Sequence, residues 1–247
     1  MKWMHPIPVI FLVLLTSCGI FTSPTPVIVR ETVEVIITKD VEVTRQVHVS
    51  PTPEPSSTAT PAPPLILKDD FEGDIGGWDI QEYENGAINI INGLLVIEAN
   101  HPDWLIPISH PALESLDAYT LDVDISHMDG SENSVAYISF RWWDSENHCA
   151  FEVTADGWFA LYCIIENEFY NTISWTRSPA IQTGMNTNHI RLVDTGQQVT
   201  FNINDNFLAN IPITFLTPGD IRLGAGILEQ GETAWSFDNI VVREYRP

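Results

Sequence analysis

The chain has 247 residues, of which 33 are acidic and 11 basic, for a formal charge of −22. A surface this acidic repels phosphate and excludes a nucleic-acid binder, while 44% hydrophobic and 10% aromatic residues supply material for a core and exclude disorder throughout. The charge is uneven: residues 1–64 hold 4 bases and 5 acids, and residues 65–247 hold 7 bases and 28 acids, a local charge of −21.

Residues 1–17 carry Lys2 and then an apolar run from Ile7 to Leu15. That run falls short of the about 20 residues a membrane-spanning helix needs and fits the apolar core of a secretory signal. Leu15-Thr16-Ser17-Cys18, followed by Gly19, resembles the bacterial lipobox. The resemblance implies cleavage before Cys18, a lipid on its thiol, and an exported chain anchored to the membrane at the cell surface. In residues 18–64, Val33-Glu34-Val35 recurs eight positions on as Val41-Glu42-Val43, and a Pro/Ser/Thr tract runs from Ser50 to Pro64. A coiled coil needs apolar residues at heptad spacing, which this repeat lacks, and the Pro-rich tract favours semi-rigid polyproline II. Residues 18–64 are therefore predicted to form a disordered stalk.

Residues 65–247 read as a single all-β domain. Alternating segments recur at Ala87 to Ile91, Leu94 to Glu98, Tyr119 to Ser126, Val135 to Trp143, Cys149 to Thr154 and Trp158 to Ile165. They continue at Ile190 to Asp194, Val199 to Ile203, Asn206 to Ile211, Asp220 to Ile227 and Trp235 to Glu244. Asn92-Gly93 between two such runs is a hairpin signal, and no segment holds a capped helical period. The pattern predicts an antiparallel β-sandwich.

One register follows from turn chemistry. Ala155-Asp156-Gly157 suits a three-residue loop with Gly157 in the left-handed region, which sets Val153 opposite Phe159, Phe151 opposite Leu161 and Cys149 opposite Cys163. Export permits oxidation, and a lipid on Cys18 leaves an even pair, so a Cys149–Cys163 disulfide is expected, with two buried thiols as the alternative. The same alternation sends Leu121, Val123, Ile125, Ile138, Phe140 and Trp142 inward. If these strands share a sheet, one outer face presents Asp122, Asp124, Tyr137, Arg141, Trp143, Glu152, Trp158 and Tyr162. Aromatic rings that stack on sugar faces, bordered by carboxylates and an arginine that bond hydroxyls, are the chemistry of a carbohydrate site. Trp104 and Trp175 are expected to be packing residues, and Trp78 to close one end of the sandwich.

Several short motifs together resemble a concanavalin A-like jelly roll, in the version found in the 3-keto-disaccharide hydrolase-like (laminarinase-like) family. They are Asp70-Phe71-Glu72 with Gly77-Trp78, Phe140-Arg141 with Glu146-Asn147, Asp156-Gly157, Phe201-Asn202-Ile203-Asn204, Gly219-Asp220-Ile221-Arg222-Leu223 and Phe237-Asp238-Asn239-Ile240. The resemblance spans residues 69–244. Laminarinase-type members place two glutamates and an aspartate on one strand. Asp122-Val123-Asp124 is the nearest match here and lacks both glutamates, so the catalytic residues are unassigned and a role for Glu152 as partner to the two aspartates is the enzymatic alternative. The resemblance also implies a calcium position at Asp70, Glu72 and Asp238, since hard oxygen ligands suit that ion. The sequence thus predicts a lipid-anchored jelly roll that binds extracellular glycan, with a glycoside hydrolase-like enzyme and a protein-interaction or adhesion module bound to a surface protein as the alternatives.

Overall fold

A computed structural model describes residues 61–73, 76–102, 105–213, 218–228 and 231–247. The predicted signal, Cys18, the stalk up to Thr60, and Trp104 lie outside the described residues.

Among the described residues fifteen strands follow one another: β1 (Leu65–Asp69), β2 (Glu82–Tyr83), β3 (Gly86–Ile91), β4 (Leu94–Ala99), β5 (Leu105–Ile108), β6 (Tyr119–Gly130), β7 (Ser134–Asp144) and β8 (Asn147–Thr154). Then come β9 (Trp158–Ile165), β10 (Glu168–Arg177), β11 (Asn188–Asp194), β12 (Gln198–Ile203), β13 (Asn206–Pro212), β14 (Asp220–Ile227) and β15 (Thr233–Glu244). They form two antiparallel sheets. The larger has nine strands in the order β13-β12-β11-β6-β15-β4-β3-β2, with β1 also pairing β15, and the smaller has six in the order β10-β9-β8-β7-β14-β5. Alternation dictates what each sheet buries: along β6, Leu121, Val123 and Ile125 are buried while Thr120, Asp122 and Asp124 are half-buried. The two inner faces meet where Phe201 of β12 packs on Phe140 of β7 at 5.5 Å and stacks on Phe151 of β8 at 4.8 Å.

Turn chemistry holds the hairpins in register. Asn92-Gly93, Glu166-Asn167 and Asn204-Asp205 each place both loop residues at positive φ, the backbone form whose twist matches that of paired strands. Gly157 has φ +97 and donates its N–H to the Thr154 carbonyl at 3.2 Å. The expected pairs Val153–Phe159, Phe151–Leu161 and Cys149–Cys163 form, and the two cysteines are disulfide-bonded.

Two features depart from the sequence expectation. The long strand β6 belongs to the nine-stranded sheet, whereas β7, β8 and β9 belong to the six-stranded one, so the acidic and aromatic residues predicted to share a face do not. In β7 the pairing with β14 gains one residue between Ser139, opposite Arg222, and Trp142, opposite Asp220, and Arg141 adopts φ +50. A bulge adds one residue and reverses the alternation beyond it. Arg141 is therefore turned into the sandwich, 2% exposed, where its Nε and Nη2 donate to both carboxylate oxygens of the fully buried Asp194 at 2.9 and 2.7 Å. The expectation that Arg141 faces a ligand is corrected: it ties β7 to β11 across the core. Trp142 moves outward instead and packs its ring, tilted, on His148 at 4.3 Å.

Candidate functional site

The outer face of the six-stranded sheet gathers the polar and aromatic side chains that alternation leaves over. Tyr137 on β7 sits opposite Glu152 on β8, which faces Ala160 on β9, and the next row runs Ser139, Ala150, Tyr162 and Asn171. Small residues at 150 and 160 leave room above the backbone. Tyr137 is buried because its ring lies across β14 at Gly224, where a Cβ would stand 2.1 Å from the ring's Cζ. Only glycine tolerates that approach.

Glu152 is 7% exposed. Burial pushes its carboxyl up to about 7, against the opposing influence of a hydrogen bond with the Tyr162 hydroxyl. Burial also raises the phenols of Tyr162 and Tyr137, and the nearby Glu152 carboxyl adds to both shifts. An acid poised near neutrality beside two phenols can accept or donate a hydrogen bond, which is how a recessed site orients a hydroxyl-bearing ligand.

The edge strand β10 builds a wall. Its pairing with β9 slips twice, between Asn171 and Ile173 and between Ile173 and Thr176, and extra residues bend an edge strand away from a flat continuation. Phe169 stacks on Tyr162 at 5.2 Å. Trp175, 39% exposed, and Leu228 after β14 complete a groove of about 230 Å³ that also includes Asn171 and Ser174. Beyond Tyr162 the aromatic band continues through His148 at 6.2 Å to Trp142, over whose ring the Arg222 guanidinium stands at 4.4 Å. Burial holds the His148 ring below its usual pKa, so it stays neutral near pH 7.

Of the predicted site residues, the structure brings together Tyr137, Glu152 and Tyr162. Trp158 shares their face but is not among the groove's lining residues, and Trp143, 63% exposed, donates its indole N–H to the Pro218 carbonyl at 2.8 Å away from the groove. Asp122 and Asp124 lie on the opposite outer face. There His189 hydrogen-bonds Asp124 at 2.7 Å and Asp122 at 3.3 Å, Arg191 reaches Asp122 at 3.3 Å, and Asn239 donates to Asp124 at 2.9 Å. Burial disfavours the charged imidazole, but the hydrogen bonds and charges of the two aspartates outweigh it and raise the His189 pKa. Because the whole sandwich separates these aspartates from Glu152, the three carboxyls cannot flank one glycosidic bond, and the enzymatic alternative loses that set of acids.

The calcium assignment is corrected as well. Asp70 accepts the Glu72 N–H at 3.4 Å, and Asp238 has its pKa raised by burial, with smaller contributions from the charges of Asp124, Asp70 and Asp69. Among the described residues no group of three or more His, Cys, Asp or Glu converges to hold a metal ion. Trp78 is buried, donating to Asp69 at 2.7 Å and packing on Phe71. Trp175, expected as packing, instead lines the groove. Strand β10 was not foreseen because Glu166-Asn167 is a less familiar hairpin pair than Asn-Gly, although Phe169, Ile173 and Trp175 carry the alternation.

Three larger depressions occur elsewhere, one of them of about 310 Å³ and lined by Lys68, Asp69, Asp70 and His110. Another of about 430 Å³ is lined by Glu82, Glu98, Asp129 and Glu232, and one of about 450 Å³ by Asp124, Asp238, Met128 and Met185. None of the three combines stacked rings with a buried, pKa-shifted acid, which singles out the groove under β10.

No protein-family model matches the sequence, and no curated protein matches it. Solved structures do match. The carbohydrate binding module CBM66 from Bacillus subtilis is 17% identical with a TM-score of 0.54 over 68% of this chain and 96% of its own. The apo Crh5 transglycosylase is 12% identical with a TM-score of 0.55 over 76% and 89%. A Bacillus subtilis protein of unknown function with a galectin-like fold is 11% identical with a TM-score of 0.51 over 73% and 96%. At these identities the likeness establishes the fold, a galectin-like jelly-roll β-sandwich, in agreement with the sequence expectation.

Proposed function

We propose that this protein is an exported module, lipid-anchored through Cys18, that holds its jelly roll away from the membrane and binds extracellular carbohydrate in the groove under β10. The observation that carries the reading is the convergence of Tyr162, Phe169 and Trp175 on a recessed Glu152. Flat rings receive the apolar faces of a sugar ring, and a recessed carboxyl with neighbouring amide and hydroxyl groups fixes its hydroxyls. The likeness to a carbohydrate binding module supports the reading at the level of fold, and the lipobox-like Leu15-Thr16-Ser17-Cys18 supports the anchor. The separation of Glu152 from Asp122 and Asp124 favours binding over hydrolysis by those three acids.

The test is retention of the full chain in native gels cast with soluble polysaccharides. Trp175→Ala and Tyr162→Ala should each restore free migration while Trp143→Ala leaves retention intact; equal retention in all four proteins overturns the site. Labelled palmitate should be incorporated in a bacterial host by the parent chain and not by Cys18→Ser, and labelling of both overturns the anchor.

A further inference from the structure

The lining of the groove under β10 contains one charged side chain, Glu152, and no base. Its neighbours are a phenol from β9, Tyr162, and a phenol from β7, Tyr137; the Arg222 guanidinium on β14 is committed to the Trp142 ring and to Asp220 at 3.7 Å. From β10 come Asn171, Ser174 and aromatic rings, all uncharged. Glu152 therefore has no ion-pair partner among the described residues, and a recessed carboxylate without a cation is held at a free-energy cost. Aromatic faces carry negative potential and attract cations, most strongly where water is excluded. The surrounding domain, at −21, draws cations and repels anionic glycans. A volume of about 230 Å³ lies below the ~300–1,000 Å³ typical of larger ligand pockets, which suits one sugar residue.

We propose that the groove is selective for an amino sugar with a free amine, whose ammonium is received by the Glu152 carboxylate and the surrounding aromatic rings, over the N-acetylated, neutral and acidic counterparts. This rests on the carbohydrate reading and narrows it. An acetyl group would remove the charge and add bulk. A uronic acid would set a second carboxylate beside Glu152 with no base in the lining to offset it.

The experiment is calorimetric titration of the full chain at pH 7 with three oligosaccharides of equal length: β-1,4-linked glucosamine, its N-acetylated form, and the corresponding glucose oligomer. The glucosamine oligomer should bind at least about tenfold more tightly than either other sugar, the combined scale of a cation–π contact and a charge-assisted hydrogen bond. Glu152→Gln, close in shape and checked for a cooperative melt, should reduce that preference to within about twofold. Equal or tighter binding of the N-acetylated or glucose oligomer overturns the amine assignment and leaves the carbohydrate reading standing. Binding of none of the three, with binding of a lysine-containing peptide instead, overturns both.

Discussion

Glu152 is the residue at which stability and function oppose one another, and its substitution has a calculable consequence. The ordinary carboxyl value of 4.5 applies to the unfolded chain, while burial carries the folded group to about 7. Below pH 4.5 the acid is neutral in both states and adds no penalty. Between the two values the unfolded chain is ionised and the folded one keeps its proton, so stability falls as pH rises. Above about pH 7 the full penalty applies: at 1.36 kcal/mol for each pH unit it amounts to about 3 kcal/mol. Glu152→Gln has no proton to lose. It should match the parent near pH 4.5 and exceed it by about 3 kcal/mol at pH 8, measured as the difference in urea unfolding free energy at each pH. Taking the difference cancels the repulsion among the other acids, which both proteins share. A gap that stays constant from pH 4.5 to pH 8 would refute the claim that Glu152 is held protonated by burial. A rise in stability accompanied by loss of the amino-sugar preference is the expected signature of a site acid kept at a thermodynamic cost.

Other substitutions test the frame around the groove. Arg141→Ala strands the buried Asp194 carboxylate and should destabilise the domain by about 3–5 kcal/mol in urea unfolding; a loss below about 1 kcal/mol would show that the pair does not tie the sheets together. Removing the disulfide with Cys149→Ala and Cys163→Ala releases a cross-link spanning 14 residues, worth about 3 kcal/mol, and should lower the melting temperature by roughly 6–12 °C. Gly224→Ala sets a Cβ against the rigid Tyr137 ring and should cost about 1–3 kcal/mol; the near-ultraviolet circular dichroism of the displaced tyrosine should change with it, and an unchanged melt and spectrum would count against the close approach.

Much of this fold was legible because local chemistry carries it. The Ala155-Asp156-Gly157 turn fixed the β8–β9 register, and with it the Cys149–Cys163 pair, since a loop of known length with one left-handed glycine leaves a single alignment. Alternation likewise assigned Phe151, Leu161 and Val123 to the core. The site was half legible: Glu152, Tyr137 and Tyr162 share a face because they lie on neighbouring strands of adjacent hairpin partners. Arg141 escaped because the φ +50 bulge has no marker in the sequence, and Trp175 escaped because the strand that carries it follows an unfamiliar turn.

Sequence alone determined the strand periodicity, the turns, the disulfide partners and the concentration of charge in residues 65–247, all of which are consequences of interactions between residues close along the chain. Tertiary structure decided which strands share a sheet. The side-chain period of two tells which residues point together within a strand, but β6 and β7, consecutive in the chain, enter different sheets, and that choice depends on which distant apolar faces bury each other best. It sent Asp122 and Asp124 to one side of the molecule and Glu152 to the other, and so separated a constellation that alternation had drawn as one.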